Sequence, residues 1–151
     1  MELLDTGDRL PPDAIVRDHE DRPRALASLF GRDGVVLYFM RSGGCAICRA
    51  HVVELGRAKD AIERGGRTVI ALVPEGGAEA ALAEKQTGGV LRVLSAPDLY
   101  VALGFRKVLF GGIQQSGTAL IHRTGVITRI HRASLPLNAL LRDVTRGQLM
   151  T

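Results

Sequence analysis

The sequence predicts an α/β fold built around a central mixed sheet. Two apolar, β-prone runs at residues 35–40 (VVLYFM) and 68–73 (TVIALV) flank a helical segment, which is the pattern of a βαβ unit. Two further β-prone runs, at residues 118–122 and 126–131, are joined by a short connection that contains glycine and predicts an antiparallel hairpin. The parallel unit and the hairpin together predict the mixed sheet.

The run at residues 35–40 is expected to be the central strand, because a continuous apolar strand is buried on both faces of a sheet. After the break at RSGG, a helix is predicted from about residue 45 to residue 64, where Gly65 and Gly66 end it. Its apolar residues recur near the 3.6-residue helical period, at Cys48, Val52, Leu55 and Ile62. This helix should therefore pack its apolar side against the sheet.

The later segments continue the alternation of strands and helices. The remaining predicted elements are a helix at residues 78–86, a strand at residues 90–94, a helix from Pro97 to about Gly104 and a last helix opened by Pro136. The Gly-rich segment at residues 105–117 fits no single element.

Composition and charge exclude several classes of protein. The balance of 46% hydrophobic and 24% charged residues is typical of a globular chain, and no apolar run approaches the length of a membrane span. The net charge is +4, yet basic residues alternate with acidic ones, as in RDHEDRPR, without the dense basic block of a nucleic-acid-binding protein. The start, MELLDTGDRL, carries acids where a signal peptide carries positive charge. We expect one cytoplasmic domain, residues 1–151, with no membrane or nucleic-acid partner.

Both cysteines of the chain, Cys45 and Cys48, lie in the stretch SGGCAIC. A chain of this length can bury a conventional core, so it does not need a stabilising disulfide. Two residues at i and i+3 of a helix share one face at a separation that a disulfide can bridge. The helix start favours a thiolate at Cys45, and Arg41 and Arg49 add positive charge nearby. The spacing therefore predicts a redox pair in which Cys45 attacks and the deeper Cys48 resolves.

Two other interpretations of the cysteine pair stay open. Free cysteines are often small buried hydrophobic residues. Alternatively, Cys45, Cys48 and His51 form C-x-x-C-x-x-H, which could supply three metal ligands, although a closed zinc site usually needs a fourth. Taken alone, His51 is better interpreted as a helix-surface or packing residue than as a ligand or a base.

The sequence resembles the thioredoxin-fold superfamily and, within it, the peroxiredoxin-like branch that includes the alkyl hydroperoxide reductase/thiol-specific antioxidant (redoxin) family. The segments TGDRLPPDAIVRD, GVVLYFMRSGGCAICRAHVVEL and VLSAPDLYVALGF carry the resemblance in order along most of the chain, and FMRSGGCAICR is its most specific part. The resemblance implies a three-layer sandwich, with helices on both faces of the mixed sheet, and a thiol-dependent oxidoreductase.

Several positions depart from the family pattern. Classical peroxiredoxins carry Pro-x-x-x-Thr-x-x-Cys, whereas Tyr38 stands at the proline position and Ser42 at the threonine position. Those enzymes also use an arginine just before a late strand, where this chain has QQSG, so Arg106 or Arg129 would have to reach the site. Gly117 occupies the position that resembles the cis-proline of thioredoxin, where it could supply a special backbone conformation.

These observations lead to one preferred function and two alternatives. The preferred function is a peroxiredoxin-like peroxide reductase; the alternatives are a thioredoxin-like thiol-disulfide oxidoreductase and, outside enzymes, a copper carrier. The expected partners are a peroxide or disulfide substrate, an external thiol reductant such as a thioredoxin, and a second copy of the chain in a homodimer; no cofactor or metal is expected. The expected site consists of catalytic Cys45, Cys48, Ser42 and Arg41, supported by Gly44, Arg49, Gly117 and Thr118.

Overall fold

A computed structural model describes residues 3–105, 116–132 and 142. The strands in these residues are β1 (Ile15–Arg17), β2 (Pro23–Ala25), β3 (Gly34–Phe39), β4 (Arg67–Val73), β5 (Val93–Ser95), β6 (Gly117–His122) and β7 (Ile127–His131). The α-helices are α1 (Ala46–Arg57), α2 (Lys59–Arg64), α3 (Gly77–Gln86) and α4 (Pro97–Ala102), and a short 3-10 helix covers Leu26–Leu29. None of the helices in these residues is long and apolar enough to cross a membrane.

The strands form a mixed sheet with β3 and β4 at its centre. One half has the order β2-β1-β5-β4 and the other the order β3-β6-β7. The halves meet where Asp33 N–H donates to Gly66 O at 2.7 Å and Met40 N–H donates to Leu72 O at 2.9 Å. The first bond joins the beginnings of β3 and β4 and the second joins their ends, so the two strands run in the same direction. The parallel β4–β5 pair and the antiparallel β3–β6–β7 pairs complete the predicted mixed sheet.

Helices cover both faces of the sheet. On one face, α1, α2 and α3 pack against a cluster that includes Val36, Tyr38 and Met40 of the β3 segment. On the other face, α4 and the 3-10 helix pack against a cluster that includes Leu37 and Phe39. Every residue of β3 is buried, as its unbroken apolar sequence predicts. The predicted α/β sandwich and its central strand are confirmed.

The predicted helix at residues 45–64 is two helices, because the chain turns at Ala58 between α1 and α2. On one continuous helix, the side that carries Val52 and Leu55 would carry Lys59 at its next position. A straight helix would press this lysine into the sheet. The turn instead buries Ile62 while the Lys59 side chain stays 41% exposed.

Two other differences from the prediction concern strands. β5 covers Val93–Ser95 instead of residues 90–94, because Gly88 and Gly89 turn the chain at positive φ and Val90 packs against Gly56. The N-terminal β1 and β2 were not predicted; they are three residues each, and β2 is exposed throughout. β1 buries only Val16 and β2 buries no residue, so neither strand shows an apolar alternation along the sequence. The final helix opened by Pro136 and most of the ambiguous segment lie outside the described residues.

Replacement of Tyr100 by Phe should destabilise the centre of the sheet. The buried Tyr100 hydroxyl is shared between Met40 O at 2.5 Å and Leu72 O at 2.8 Å, at the junction of the two halves. Its loss leaves buried carbonyl oxygens without that donor, so we expect the free energy of unfolding to fall by about 1–3 kcal/mol. Urea unfolding followed by circular dichroism measures the change. Equal stability of variant and wild type would contradict this role.

Candidate active site

Cys45 lies at the N-terminus of α1, where the chain leaves the central strand. It is the residue that precedes the helix, with φ −71° and ψ 114°, and the helix itself begins at Ala46. The Cys48 N–H donates to Cys45 Sγ at 3.3 Å, so the sulfur takes the place of a capping oxygen. Cys45 is half-buried and its thiol is free. The helix predicted from about residue 45 therefore begins at Ala46, and Cys45 is its N-terminal cap.

Cys48 lies one turn deeper, in the cluster between α1 and the sheet. It is 2% exposed, as the apolar periodicity of α1 predicts. The Arg41 N–H donates to Cys48 Sγ at 3.2 Å. Burial, and next the hydrogen bond with Cys45, raise the pKa of the Cys48 thiol to about 11. The two thiols therefore differ in solvent exposure, and Cys48 is a neutral thiol near pH 7.

The loop before Cys45 rests on the start of α3. Gly43 is buried, and its N–H donates to a Glu75 carboxylate oxygen at 2.9 Å. A Cβ at Gly43 would lie 3.2 Å from Glu79 O, so the glycine permits close approach of the loop to α3. Gly44 is exposed, with open space where its Cβ would lie. The contribution of Glu75 was not predicted, because 32 residues separate it from Gly43 along the chain.

The structure places the other predicted site residues of this loop around the two cysteines. Ser42 O accepts a hydrogen bond from Cys45 N–H at 3.2 Å, which forms the turn into the helix. The Arg49 guanidinium donates to Gln86 Oε1 at 2.7 Å and reaches Gly44 O at 3.5 Å. Arg49 therefore ties the loop to α3 as well as lying one turn beyond Cys45.

A buried polar pair, Tyr38 and His51, lies beneath the cysteines. The Tyr38 hydroxyl and His51 Nδ1 are 2.8 Å apart, and the rings meet edge to face. The side chains are 2% and 4% exposed. Burial lowers the pKa of His51, and it is the largest cause of the raised pKa of Tyr38, followed by the charge of Cys48. His51 thus lies in the packed interface, one of the two positions predicted for it, and has a specific polar partner there.

Gly117 and Thr118 lie beside the strand end that leads into the site loop. They pair with Phe39 and Tyr38 respectively, and both are buried. The predicted special backbone conformation at Gly117 is wrong, because its φ is not positive. Position 117 requires glycine because there is no room for a side chain. A Cβ there would lie 2.0 Å from His131 O and 2.5 Å from Phe105 Cε1.

The described residues do not place an arginine beside Cys45 in the late-strand position. Arg129 pairs with Leu120, and Leu120 pairs with Val36. Arg129 therefore lies level with a β3 residue that comes two positions before Tyr38, farther from the site loop. Arg106 lies outside the described residues, and the residue before β6 is the buried Ser116. Within residues 3–105 and 116–132, no three His, Cys, Asp or Glu side chains converge as metal ligands. His51 Nδ1 is already bonded to Tyr38.

Comparison with solved structures identifies the architecture. The peroxidoxin BcpB of Mycobacterium tuberculosis superposes with a TM-score of 0.84 over 97% of both chains, at 15% sequence identity. The chain has the thioredoxin-like fold of the peroxiredoxins. Reduced Prx3 of Vibrio vulnificus in complex with hydrogen peroxide gives a TM-score of 0.77 at 17% identity, over 94% of this chain and 99% of that one. None of the protein-family models and none of the curated proteins matches the sequence.

The bacterioferritin comigratory protein of Xanthomonas campestris, whose structure was used to study alkyl peroxide reduction, shares the same peroxiredoxin fold. It superposes with a TM-score of 0.77 at 11% identity, over 97% of this chain and 98% of that one. At identities this low, the superpositions establish only the architecture. The chemistry of this chain has to be argued from its own residues.

The unequal burial of the two thiols predicts selective alkylation. At pH 7 a thiol with a pKa of about 11 is a thiolate in only about one molecule in ten thousand. Iodoacetamide should therefore modify Cys45 in the folded, reduced protein and reach Cys48 only after denaturation in urea. Peptide mapping by mass spectrometry measures both positions. Equal labelling of the two cysteines in the folded protein would contradict the burial of Cys48.

Proposed function

We propose that this protein is a thiol-dependent peroxide reductase that uses Cys45 and Cys48 as a dithiol–disulfide pair. The observation that carries the proposal is a half-buried thiol at the start of α1, directly above a second, buried thiol, in the fold of the peroxiredoxins. The relatives support peroxide as the electrophile: one was solved with hydrogen peroxide and another was studied for alkyl peroxide reduction.

The proposed reaction has two steps. The Cys45 thiolate attacks the terminal oxygen of the peroxide, the O–O bond breaks, and the released alkoxide or hydroxide takes a proton, which leaves Cys45 as a sulfenic acid. The Cys48 sulfur then bonds to Cys45 Sγ, the S–O bond breaks, and the oxygen leaves as water. The 3.3 Å contact between Cys45 Sγ and Cys48 N–H keeps the two residues within one turn, so the disulfide requires little backbone movement.

The remaining site residues have proposed roles around these steps. Ser42 and Arg41 would contact the peroxide, because they flank the turn that presents Cys45. Gly44, which has open space where a Cβ would lie, would leave the approach to the neighbouring Cys45 unobstructed. Arg49 would hold the loop on α3, and Gly117 and Thr118 would support the strand end beneath it.

The proposal also includes partners and location. An external thiol, such as that of a thioredoxin, would reduce the Cys45–Cys48 disulfide, and the proposed protein is a one-domain cytoplasmic enzyme that forms a homodimer. Gel filtration with light scattering tests the homodimer, and a mass of one chain, 16.2 kDa, would exclude it. None of these features is needed for the two chemical steps.

The direct test is oxidation of the reduced protein by hydrogen peroxide. We expect stoichiometric conversion to a Cys45–Cys48 disulfide, seen by mass spectrometry as the loss of two hydrogens, much faster than free cysteine reacts. The activated position of Cys45 at a helix start is the physical reason. Oxidation no faster than that of free cysteine would refute the function.

The close pair of thiols also favours a second candidate, a thiol-disulfide oxidoreductase. In this reaction Cys45 would attack a disulfide sulfur and Cys48 would release the mixed disulfide, without consumption of peroxide. An insulin-reduction assay with dithiothreitol discriminates between the candidates. Insulin reduction that Cys45→Ser abolishes, together with no peroxide consumption, would decide for the oxidoreductase.

A further inference from the structure

We infer that Tyr38 and His51 form a proton path that serves Cys48 when the disulfide forms. The inference rests on the proposed function, since it concerns the second of its two steps. In it, the Tyr38 hydroxyl takes the thiol proton of Cys48 while its own proton passes to His51 Nδ1.

The pair lies in the same buried layer between α1 and the sheet as the resolving thiol. Tyr38 lies on β3, beneath α1, and its hydroxyl is 2.8 Å from His51 Nδ1. His51 lies on α1, three residues after Cys48, so the two share one face of the helix. All three side chains belong to the same buried interface and are at most 4% exposed. The proposed path has the Tyr38 hydroxyl donating to Nδ1, which puts the imidazole proton on Nε2.

Cys48 needs such a path because it is closed off from water. Its exposed fraction is 2% and its pKa is raised to about 11, mainly by burial. The thiol must nevertheless lose its proton to attack the sulfenic acid. The Tyr38 hydroxyl is hydrogen-bonded to Cys48 as well as to His51, so its oxygen lies within reach of the thiol proton. Burial lowers the pKa of His51, so the imidazole is neutral and its Nδ1 is free of a proton. Because the lowered pKa also makes it a weak base, His51 can take the proton only as the S–S bond forms.

A purely structural role explains the pair less well. A buried tyrosine–histidine pair contributes little more to stability than apolar side chains of similar volume, since both polar groups lose their hydration. Here both polar groups point at each other beside the one buried thiol that the reaction requires. The proline that the resemblance leads one to expect at position 38 would carry no hydroxyl for Cys48.

The proton balance of the step is complete. The Cys48 proton moves to Tyr38 Oη as the Tyr38 proton moves to His51 Nδ1, and the Cys48 sulfur bonds to Cys45 Sγ. The sulfenic oxygen of the more exposed Cys45 takes a proton from solvent and leaves as water. His51 then returns its proton to solvent, and no further oxidant or reductant is needed. His51 has to hold the proton only until the Cys48 sulfur has bonded to Cys45.

The test separates the two steps in time. Reduced protein is mixed with one equivalent of hydrogen peroxide, and samples are quenched with dimedone and analysed by mass spectrometry for sulfenic acid and disulfide. In Tyr38→Phe and His51→Asn we expect sulfenic acid to form at the wild-type rate and to persist about ten- to a hundredfold longer. Asn can accept the Tyr38 hydrogen bond but cannot take its proton. His122→Asn, on the far hairpin, is the matched control and should resolve at the wild-type rate.

A solvent isotope effect distinguishes proton transfer from simple packing. Resolution in the wild type should slow in deuterium oxide, and this effect should shrink in both variants. If both variants resolve as fast as the wild type, or if both steps slow equally, the proton path is wrong while the peroxide reductase stands. If the wild type forms neither sulfenic acid nor the Cys45–Cys48 disulfide, both proposals fail. If Tyr38→Phe does not fold, His51→Asn alone decides.

Discussion

Replacement of Cys45 by Ser is expected to abolish peroxide consumption, with a loss of at least about a thousandfold, because the change removes the attacking sulfur. Serine is nearly isosteric, and its hydroxyl can still accept the Cys48 N–H bond that starts α1. The fold should therefore be preserved. Peroxide consumption with dithiothreitol as the reductant gives the rate, and circular dichroism gives the fold. Peroxide turnover at the wild-type rate in this variant would remove Cys45 from the mechanism.

Cys48→Ser is the matched variant for this experiment. It keeps Cys45 and its position, so the first oxidation should proceed at the wild-type rate and stop at a sulfenic acid that dimedone traps. The intramolecular disulfide cannot form. If Cys48→Ser lost the first step as well, and Cys45→Ser kept it, the assignment of the attacking and resolving residues would have to be exchanged. The 2% exposure of Cys48 makes that exchange the less favourable arrangement.

The second large effect is expected in stability, for Gly117→Ala. The added Cβ would lie 2.0 Å from His131 O and 2.5 Å from Phe105 Cε1, so β7 or Phe105 must move. Phe105 stacks on Phe39 with ring centroids 4.1 Å apart, and displacement of this ring disturbs the core beneath the site. We expect the free energy of unfolding to fall by about 3 kcal/mol or more. Urea unfolding followed by circular dichroism measures it.

Gly44→Ala is the control for this substitution. Its Cβ would meet nothing within 4 Å and its φ is not positive, so its stability should lie close to that of the wild type. If Gly117→Ala were as stable as Gly44→Ala, close packing would not be the reason for glycine at position 117. A special backbone conformation is already excluded there by the φ value.

The elements around the cysteines could be predicted from the sequence because their signals are local. The unbroken apolar run of β3 fixes a buried strand, and the spacing of Cys48, Val52 and Leu55 fixes the side of α1 that faces the sheet. The difference in burial between Cys45 and Cys48 follows from the same periodicity. The short hairpin connection likewise predicted the β6–β7 pair.

Other features required contacts between distant parts of the chain. Glu75 reaches Gly43 across 32 residues, and the turn at Ala58 depends on how α2 must meet β4 to bury Ile62. The meeting of Tyr38 with His51 is of the same kind. The sequence pattern placed Tyr38 on the central strand and His51 on the helix that follows it. The 2.8 Å contact between them depends on how closely α1 packs on β3.

The sequence by itself determined the alternation of strands and helices from β3 to the β6–β7 hairpin, apart from the division of the first helix into α1 and α2. It also determined the position of the two thiols at the start of a helix and which of them is deeper. These properties depend on spacing along a single element, where backbone geometry leaves few alternatives. The tertiary structure decided the surroundings of those thiols: the backbone N–H on Cys48, the tyrosine–histidine pair beneath it, and the close packing that requires Gly117. Such contacts depend on the distance between packed elements, and no local pattern in the chain encodes that distance.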